Sequence, residues 1–145
     1  YNNNFMENTW VFFYGTFMSS KILKGFGVVC KETYPAKLEG FKLVINHRVN
    51  LEKDDTSTVY GSLVNISNKD VSKLYNEIKN KFNIEYHPQG VKVNLMTGET
   101  KPVICYISSD KDNSTPDPNY IKEMIDCVAE LNFPEEYIQH IKSFT

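Results

Sequence analysis

A glycine follows an aromatic run near the start of the chain, in the segment Tyr14-Gly15-Thr16-Phe17-Met18. Glycine allows the backbone to turn sharply and to approach a ligand closely. Backbone N–H groups that lead from a strand toward a helix can form an anion receptor, which suits a carboxylate. The segment is therefore a candidate carboxylate-binding loop, although the same pattern also fits an ordinary turn between a strand and a helix.

Two glutamates near the middle of the chain are candidates for proton transfer. Glu77 precedes the apolar Ile78 in a predicted helix, and Glu85 lies beside Tyr86 in the segment that follows. A carboxylate in a pocket can shuttle a proton if burial raises its pKa. The alternative for each is a solvated surface glutamate, because this residue type is mostly exposed.

The histidines and cysteines do not form a recognisable catalytic or metal-binding set. His47, His87 and His140 are far apart in the chain, and no spacing selects a Ser-His-Asp triad. The cysteines show no CxxC or CxxH spacing, and two of the three have apolar neighbours. We therefore expect free thiols and no metal ion, the cysteines being Cys30, Cys105 and Cys127.

The bulk composition is that of one globular domain. The chain has 145 residues, of which 41% are hydrophobic and 23% charged. A formal net charge of -2 gives no electrostatic footprint for nucleic acid. No apolar run approaches the ~18 residues of a membrane helix, and no secretory signal is visible. We expect no nucleic-acid partner and no membrane partner. We also expect a cytoplasmic location, while the oligomeric state stays open.

The apolar pattern predicts five strand segments and three helices, besides a helical turn or short helix at 18–23. The strand segments are 10–14, 34–45 (a strand or a hairpin), 58–64, 91–95 and 102–107. The helices are one around 71–78, one at 120–131 and one at 135–141. Turn residues at 96–100 join the last two strands as a hairpin. Residues 47–55 and 110–118 are polar and predict loops.

The order of these elements indicates an α+β fold. Strands occur in groups, one helix is inserted in the middle, and two helices follow at the end. Because no βαβ alternation appears, we expect a curled sheet that is mostly antiparallel or mixed. Residues 1–9 are typical of a polar tail, and residues 10–145 form one domain without a linker.

Four segments resemble the γ-glutamylcyclotransferase (AIG2-like) family, in the family's order and at compatible spacings. Residues 14–18 match its YGS/T-x-L/M loop, and residues 36–43 match A-x-L-x-x-F-x-L. Residues 59–64 match V-x-G-x-[VL]-[VWY], which precedes a helix. The C-terminal patterns, P-x-P-x-Y-x-x-x-[IM]-I and L-P-x-x-Y-x-x-x-[IL], fall on residues 116–125 and 133–141. Each motif is weak alone, but together they are specific and extend over residues 10–144.

The resemblance implies a small closed mixed β-barrel flanked by helices, with a pocket at the 14–18 loop. Enzymes of the family act on γ-glutamyl amines without a metal or organic cofactor. The substrate's α-amine attacks its γ-carbonyl, which yields 5-oxoproline and a free amine or amino acid, while a glutamate relays the proton. The implied substrate-binding residues are Tyr14, Gly15, Thr16, Phe17, Met18, Tyr106 and Tyr120.

This sequence departs from the family pattern at the catalytic position. Counting without gaps from Gly61 places the family's L-D-x-x-E-G on residues 74–79, so that Ile78 stands where the glutamate is expected. Glu77 comes one residue early, which is about 100° of rotation on a helix. Lys79 replaces the glycine, which suggests a longer helix here.

Three hypotheses follow for the function. The first is a γ-glutamylcyclotransferase-type enzyme with Glu77 as the substitute catalytic residue, or Glu85 reaching in from the loop. The second is a catalytically silent member of the family that binds a small γ-glutamyl or other carboxylate ligand in the same pocket. The third is a partner-binding module that uses the same barrel.

Overall fold

A computed structural model of the chain describes residues 7–30, 32–109 and 114–145. The strands are β1 (Asn8–Phe13), β2 (Thr33–Ile45), β3 (Val49–Ser67), β4 (Tyr86–Leu95) and β5 (Thr100–Ser108). The helices are α1 (Ser20–Gly25), α2 (Asn68–Phe82), α3 (Pro118–Glu130) and α4 (Glu135–Lys142), with a 3₁₀ turn at Thr16–Met18. No helix in the described ranges is both long and apolar enough to cross a membrane.

The strands close into a barrel in the order β1-β3-β2-β4-β5. Neighbouring strands pair antiparallel except at the closure, where β1 and β5 run parallel with Val11 opposite Ile104 and Phe12 opposite Cys105. A closed ring leaves no free strand edge. The expected α+β class and small closed mixed barrel flanked by helices are thus confirmed.

The first strand is buried on both faces. Val11, Phe12 and Phe13 are consecutive and at most 1% exposed, so one face points into the barrel and the other lies under further structure. A strand covered on both faces reads as a continuous apolar run rather than an alternating one. This continuous run is the signal by which the sequence predicted β1. The polar tail expected at residues 1–9 is wrong at its end, because β1 already begins at Asn8.

The loop predicted at residues 47–55 is wrong for most of its length. β3 already begins at Val49, and Val49 and Leu51 are buried opposite Ile45 and Leu43 of β2. In an antiparallel pair with one solvated face, apolar and polar residues alternate along each strand. Here the polar residues that face outward dominate the composition of residues 47–55, and the segment therefore resembles a loop. The true connection is the short turn at 46–48, which carries Arg48.

The middle helix is longer than its apolar stripe, as the missing glycine suggested. The Ser67 hydroxyl accepts a hydrogen bond from the Asp70 N–H at 3.1 Å and caps the first turn of α2. The helix ends at Phe82, followed by Asn83 in the left-handed conformation. Its buried residues are Val71, Leu74 and Ile78. Part of the loop predicted at 110–118 lies outside the described residues.

The three cysteines are free thiols in this fold. Cys105 on β5 and Cys127 on α3 are buried, and Cys30 is half-buried. This agrees with the expectation drawn from their odd number and apolar neighbours.

Candidate functional site

A small cavity lies where the chain leaves β1, and we call it the inner cavity. Its volume is about 30 Å³. It is lined by Phe13, Tyr14, Gly15, Thr16, Phe17, Arg48, Val49, Tyr75, Ile78, Tyr86 and Tyr120. The inner cavity is therefore mainly aromatic, with one cation.

A larger depression of about 400 Å³ adjoins it, and we call this the outer cleft. The residues common to both spaces are Thr16, Phe17, Arg48, Ile78 and Tyr120. The cleft also has charged walls, made by Arg48 and Lys81 and by the carboxylates of Glu77, Asp117 and Glu123. The two spaces together could hold a small molecule with one end in the cavity and the rest in the cleft.

The backbone of the 14–18 loop retains free donors. The Met18 N–H donates to the Gly15 carbonyl at 3.0 Å, and the Ser19 N–H donates to the Thr16 carbonyl. The N–H groups of Gly15, Thr16 and Phe17 have no hydrogen-bond acceptor within the described ranges. A carboxylate end of a ligand could accept hydrogen bonds from them.

Close packing explains the glycine in this loop. A Cβ atom on Gly15 would lie 2.7 Å from Cγ2 of Val49 and 3.3 Å from the Tyr120 hydroxyl oxygen. Three elements thus meet at Gly15: the backbone of the binding loop, Val49 at the start of β3 and Tyr120 of α3. Glycine is required here for close approach.

Five of the seven predicted binding residues line the inner cavity, and two do not. Those that do are Tyr14, Gly15, Thr16, Phe17 and Tyr120. Met18 lies in the hydrophobic core with 4% of its surface exposed, and its N–H is already paired. Tyr106 does not line the inner cavity but packs behind Tyr75, which does.

Tyr106 nevertheless supports the wall. Its ring stacks on Tyr75 with centroids 4.2 Å apart and planes 16° apart, and Tyr75 lines the cavity. Its carbonyl accepts a hydrogen bond from the Tyr14 hydroxyl at 2.6 Å. Tyr86, another wall residue, donates its hydroxyl to the Val49 carbonyl. The tyrosines therefore hold one another in place and connect the end of β1, helix α2 and strands β3, β4 and β5.

The phenols of this wall are neutral at ordinary pH. Burial raises the pKa of Tyr14 and of Tyr75 well above the usual 10.0. Burial also raises the pKa of Tyr120 to about 12, although the guanidinium of Arg48 opposes the shift. Neutral phenols can donate or accept hydrogen bonds, but at neutral pH they supply no phenolate base.

The carboxylates fall outside the inner cavity. Ile78 lines both the cavity and the cleft, whereas Glu77 is exposed and lines only the cleft. Glu85 forms a salt bridge with Lys79 at 3.4 Å and lines neither space. Among the described residues, no Asp or Glu lines the inner cavity.

Arg48 is the principal site residue that the sequence reasoning missed. Its guanidinium carbon lies 4.2 Å from the ring centroid of Tyr120 and 4.5 Å from that of Phe82. Such cation–π contacts hold the guanidinium in place. One signal could have identified it, since Arg48 is the single arginine of the chain. Tyr75 and Tyr86 were missed as wall residues because only the fold brings them together.

The histidines remain dispersed in three dimensions. His47 lines the outer cleft and packs edge-on against Phe82, and His140 Nε2 lies 3.0 Å from the Leu43 carbonyl. In the part of the chain that the structure describes, no group of three His, Cys, Asp or Glu side chains could hold a metal ion.

The architecture is a γ-glutamylcyclotransferase-type fold, because solved structures of that kind share it. A protein described as a γ-glutamyl cyclotransferase is 18% identical with a TM-score of 0.79, over 94% of this chain and 87% of that one. Residues 58–141, more than half of the chain, match the model of the AIG2-like family. The chain belongs to the AIG2-like family.

Two other solved structures show the same fold at low identity. YkqA from Bacillus subtilis is 21% identical with a TM-score of 0.78, over 94% of this chain and 53% of that one. A yeast γ-glutamyl cyclotransferase described as specific to glutathione is 12% identical with a TM-score of 0.62, over 95% of each chain. A comparison with curated proteins found no significant match.

Proposed function

We propose that this protein binds the γ-glutamyl group of a small γ-glutamyl compound and does not turn it over at the rate of a cyclotransferase. The observation that carries the proposal is Ile78, which lines the inner cavity at the position where the family resemblance expects a glutamate. Binding and turnover place different demands on this site, and the residues present meet only the first.

The two spaces support binding of a small molecule. Small-molecule sites usually occupy about 300–1,000 Å³. The inner cavity is too small for this at about 30 Å³, but the adjoining cleft adds about 400 Å³. A γ-glutamyl compound would place its α-carboxylate at the loop donors of Gly15, Thr16 and Phe17 and extend its amine side into the cleft.

Turnover needs a group that the cavity does not supply. For cyclisation, the α-amine must lose a proton as it attacks the γ-carbonyl, and the leaving nitrogen must gain one. A positioned acid–base residue typically contributes about 10²–10⁴-fold to such a step. The Ile78 side chain cannot move a proton, and the buried tyrosines have pKa values raised away from neutrality.

A second candidate function is slow cyclotransfer through Glu77, and the placement of Glu77 favours it. Its side chain lines the outer cleft together with Thr16 and Phe17 of the binding loop. In this mechanism the new bond joins the α-nitrogen to the carbonyl carbon of the γ-glutamyl amide, and the bond from that carbon to the leaving amine nitrogen breaks. Glu77 would carry the proton from the attacking amine to the leaving amine.

Binding and product release by three proteins separate the two candidates. Calorimetry measures binding of 5-oxoproline and of a panel of γ-glutamyl amino acids and alkylamines, and chromatography measures released 5-oxoproline. We expect wild type to bind without releasing product above the uncatalysed rate. Glu77→Gln should behave like wild type. Ile78→Glu, which returns a carboxylate to the cavity, should release 5-oxoproline at least about 100-fold faster than wild type.

Ile78→Gln is the matched control, since it has the shape of Ile78→Glu without an ionisable group. Melting temperatures of all variants exclude unfolding as the cause of any loss. Release by wild type that Glu77→Gln abolishes would establish the second candidate in place of the first. If wild type binds no compound of the panel, the proposed function is wrong.

A further inference from the structure

We infer that Arg48 is the residue that recognises the glutamyl α-carboxylate, at the junction of the inner cavity and the outer cleft. The inference rests on the proposed function and adds to it a charged, side-chain determinant of ligand specificity. It predicts that the site selects a carboxylate rather than merely a γ-glutamyl-sized ring or chain.

The first argument is electrostatic. A carboxylate that enters an aromatic cavity loses hydration, and this is costly unless a cation or several hydrogen bonds replace the water. Arg48 is the only cationic side chain that lines the inner cavity among the described residues. The loop donors of Gly15, Thr16 and Phe17 supply hydrogen bonds but no full charge.

The second argument is that the guanidinium is available. The salt bridge found among the described residues joins Lys79 and Glu85, so Arg48 has no carboxylate partner there. Arg48 instead lies over the rings of Tyr120 and Phe82, at 4.2 and 4.5 Å from their centroids. Contact with two rings restrains the guanidinium, and a ring face, unlike a carboxylate, does not use up its capacity for a two-pronged bond to a ligand carboxylate.

The third argument concerns position. Val49, the next residue, is in close contact with the site of a Cβ on Gly15, so the 46–48 turn is held against the binding loop. Away from Arg48, the outer cleft carries the three carboxylates of Glu77, Asp117 and Glu123 against the single cation of Lys81, so its net negative charge disfavours a carboxylate there. A ligand's α-carboxylate is therefore best placed between Arg48 and the loop.

The test compares two probes that differ only at the carboxylate, 5-oxoproline and its neutral amide, 5-oxoprolinamide. By calorimetry, wild type should bind 5-oxoproline about 10- to 100-fold more tightly than the amide. Arg48→Met should lose that preference, so that both probes bind alike. Arg48→Lys should keep part of it, because it retains the charge and loses the planar, two-pronged geometry.

Lys92→Met is the matched control, since it removes the same unit of charge from an exposed site on β4 that lines neither space. It should keep the full preference. Arg48→Gln makes the same comparison if Arg48→Met does not fold. Binding of 5-oxoproline by wild type together with an undiminished preference in Arg48→Met would overturn the role of Arg48 and leave the proposed function standing. Equal binding of the two probes by wild type, or binding of neither, would overturn the role of Arg48. The proposed function fails only if the γ-glutamyl compounds of the panel are not bound either.

Discussion

At the residue scale, the inner cavity combines one cation, Arg48, with an apolar side chain, Ile78. A cation and free backbone donors favour a bound carboxylate. An isoleucine beside them contributes packing and excludes water but accepts no proton. Under the proposed function, the site therefore separates two properties that a cyclotransferase needs together, the recognition of a glutamyl group and the transfer of its proton.

Gly15→Ala tests whether the close approach at the binding loop matters. The new Cβ would lie 2.7 Å from Cγ2 of Val49, whose β-branched side chain has little rotational freedom. We expect the free energy of unfolding to fall by about 1–3 kcal/mol, because overpacking forces neighbours to shift. Urea denaturation measures this change, and calorimetry should show weaker binding of 5-oxoproline.

Gly25→Ala is the control for that substitution. A Cβ on Gly25, at the end of α1, would meet no heavy atom within 4 Å. Its effect should be neutral or stabilising by up to about 1 kcal/mol, through the lower entropy of the unfolded chain. Equal effects of the two substitutions on the free energy of unfolding would show that a Cβ at position 15 does not clash with Val49.

At the element scale, α2 decides which side chain meets the cavity. Val71, Leu74 and Ile78 form its buried stripe, and Glu77 lies about 100° away around the helix axis, at the cleft. The same periodicity that buries the stripe therefore sets the positions of Ile78 and Glu77. A one-residue change of register would bring Glu77 to the place of Ile78, but it would also turn Leu74 and Ile78 away from the buried stripe.

Ser67→Ala tests the cap that fixes the start of α2. The Ser67 hydroxyl accepts a hydrogen bond from the Asp70 N–H at 3.1 Å, and its loss leaves that donor to solvent. We expect a loss of about 1 kcal/mol in the free energy of unfolding, measured by urea denaturation. Ser72→Ala, on the exposed face of the same helix, should be neutral or slightly stabilising by helix propensity. A neutral effect of Ser67→Ala would exclude a stabilising cap.

At the scale of the whole molecule, the buried tyrosines and thiols link folding to pH. The pKa of Tyr120 rises from 10.0 to about 12, that of Cys105 from 9.0 to about 12 and that of Cys127 from 9.0 to about 11, mainly by burial. The unfolded chain loses these protons at lower pH than the folded protein. Stability from these groups is therefore full below about pH 9 and is lost as the pH rises toward 12.

Urea denaturation under reducing conditions at pH 7, 9, 10 and 11 checks this dependence. We expect the contribution of these groups to the free energy of unfolding to be nearly constant up to pH 9 and to fall at higher pH. Tyr120→Phe should flatten the part of the fall above pH 10, by an amount on the order of 2 kcal/mol when fully titrated. A stability that stays constant to pH 11 would contradict the burial of these groups.

The sequence by itself determined the elements whose burial is periodic along the chain. The continuous apolar run before Tyr14 predicted β1, and the i, i+3, i+4, i+7 pattern ending at Ile78 predicted α2. The family motifs predicted the closed barrel and placed the binding loop at residues 14–18. The predictions of β1 and α2 succeeded because local periodicity records which side of an element is covered. The closed barrel is confirmed as well, whereas ligand binding by the 14–18 loop stays a prediction.

Only the tertiary structure decided which residues from different elements share the inner cavity. It brought Arg48, from a segment whose composition predicted a polar loop, into the same cavity as Gly15, and it left Met18 and Tyr106 out of the wall. It also placed Ile78 rather than a glutamate in the cavity and Glu77 in the cleft. The physical reason is that neighbours across a barrel depend on which strands pair over long distances in the chain, and the pattern within one segment does not specify its partner strand.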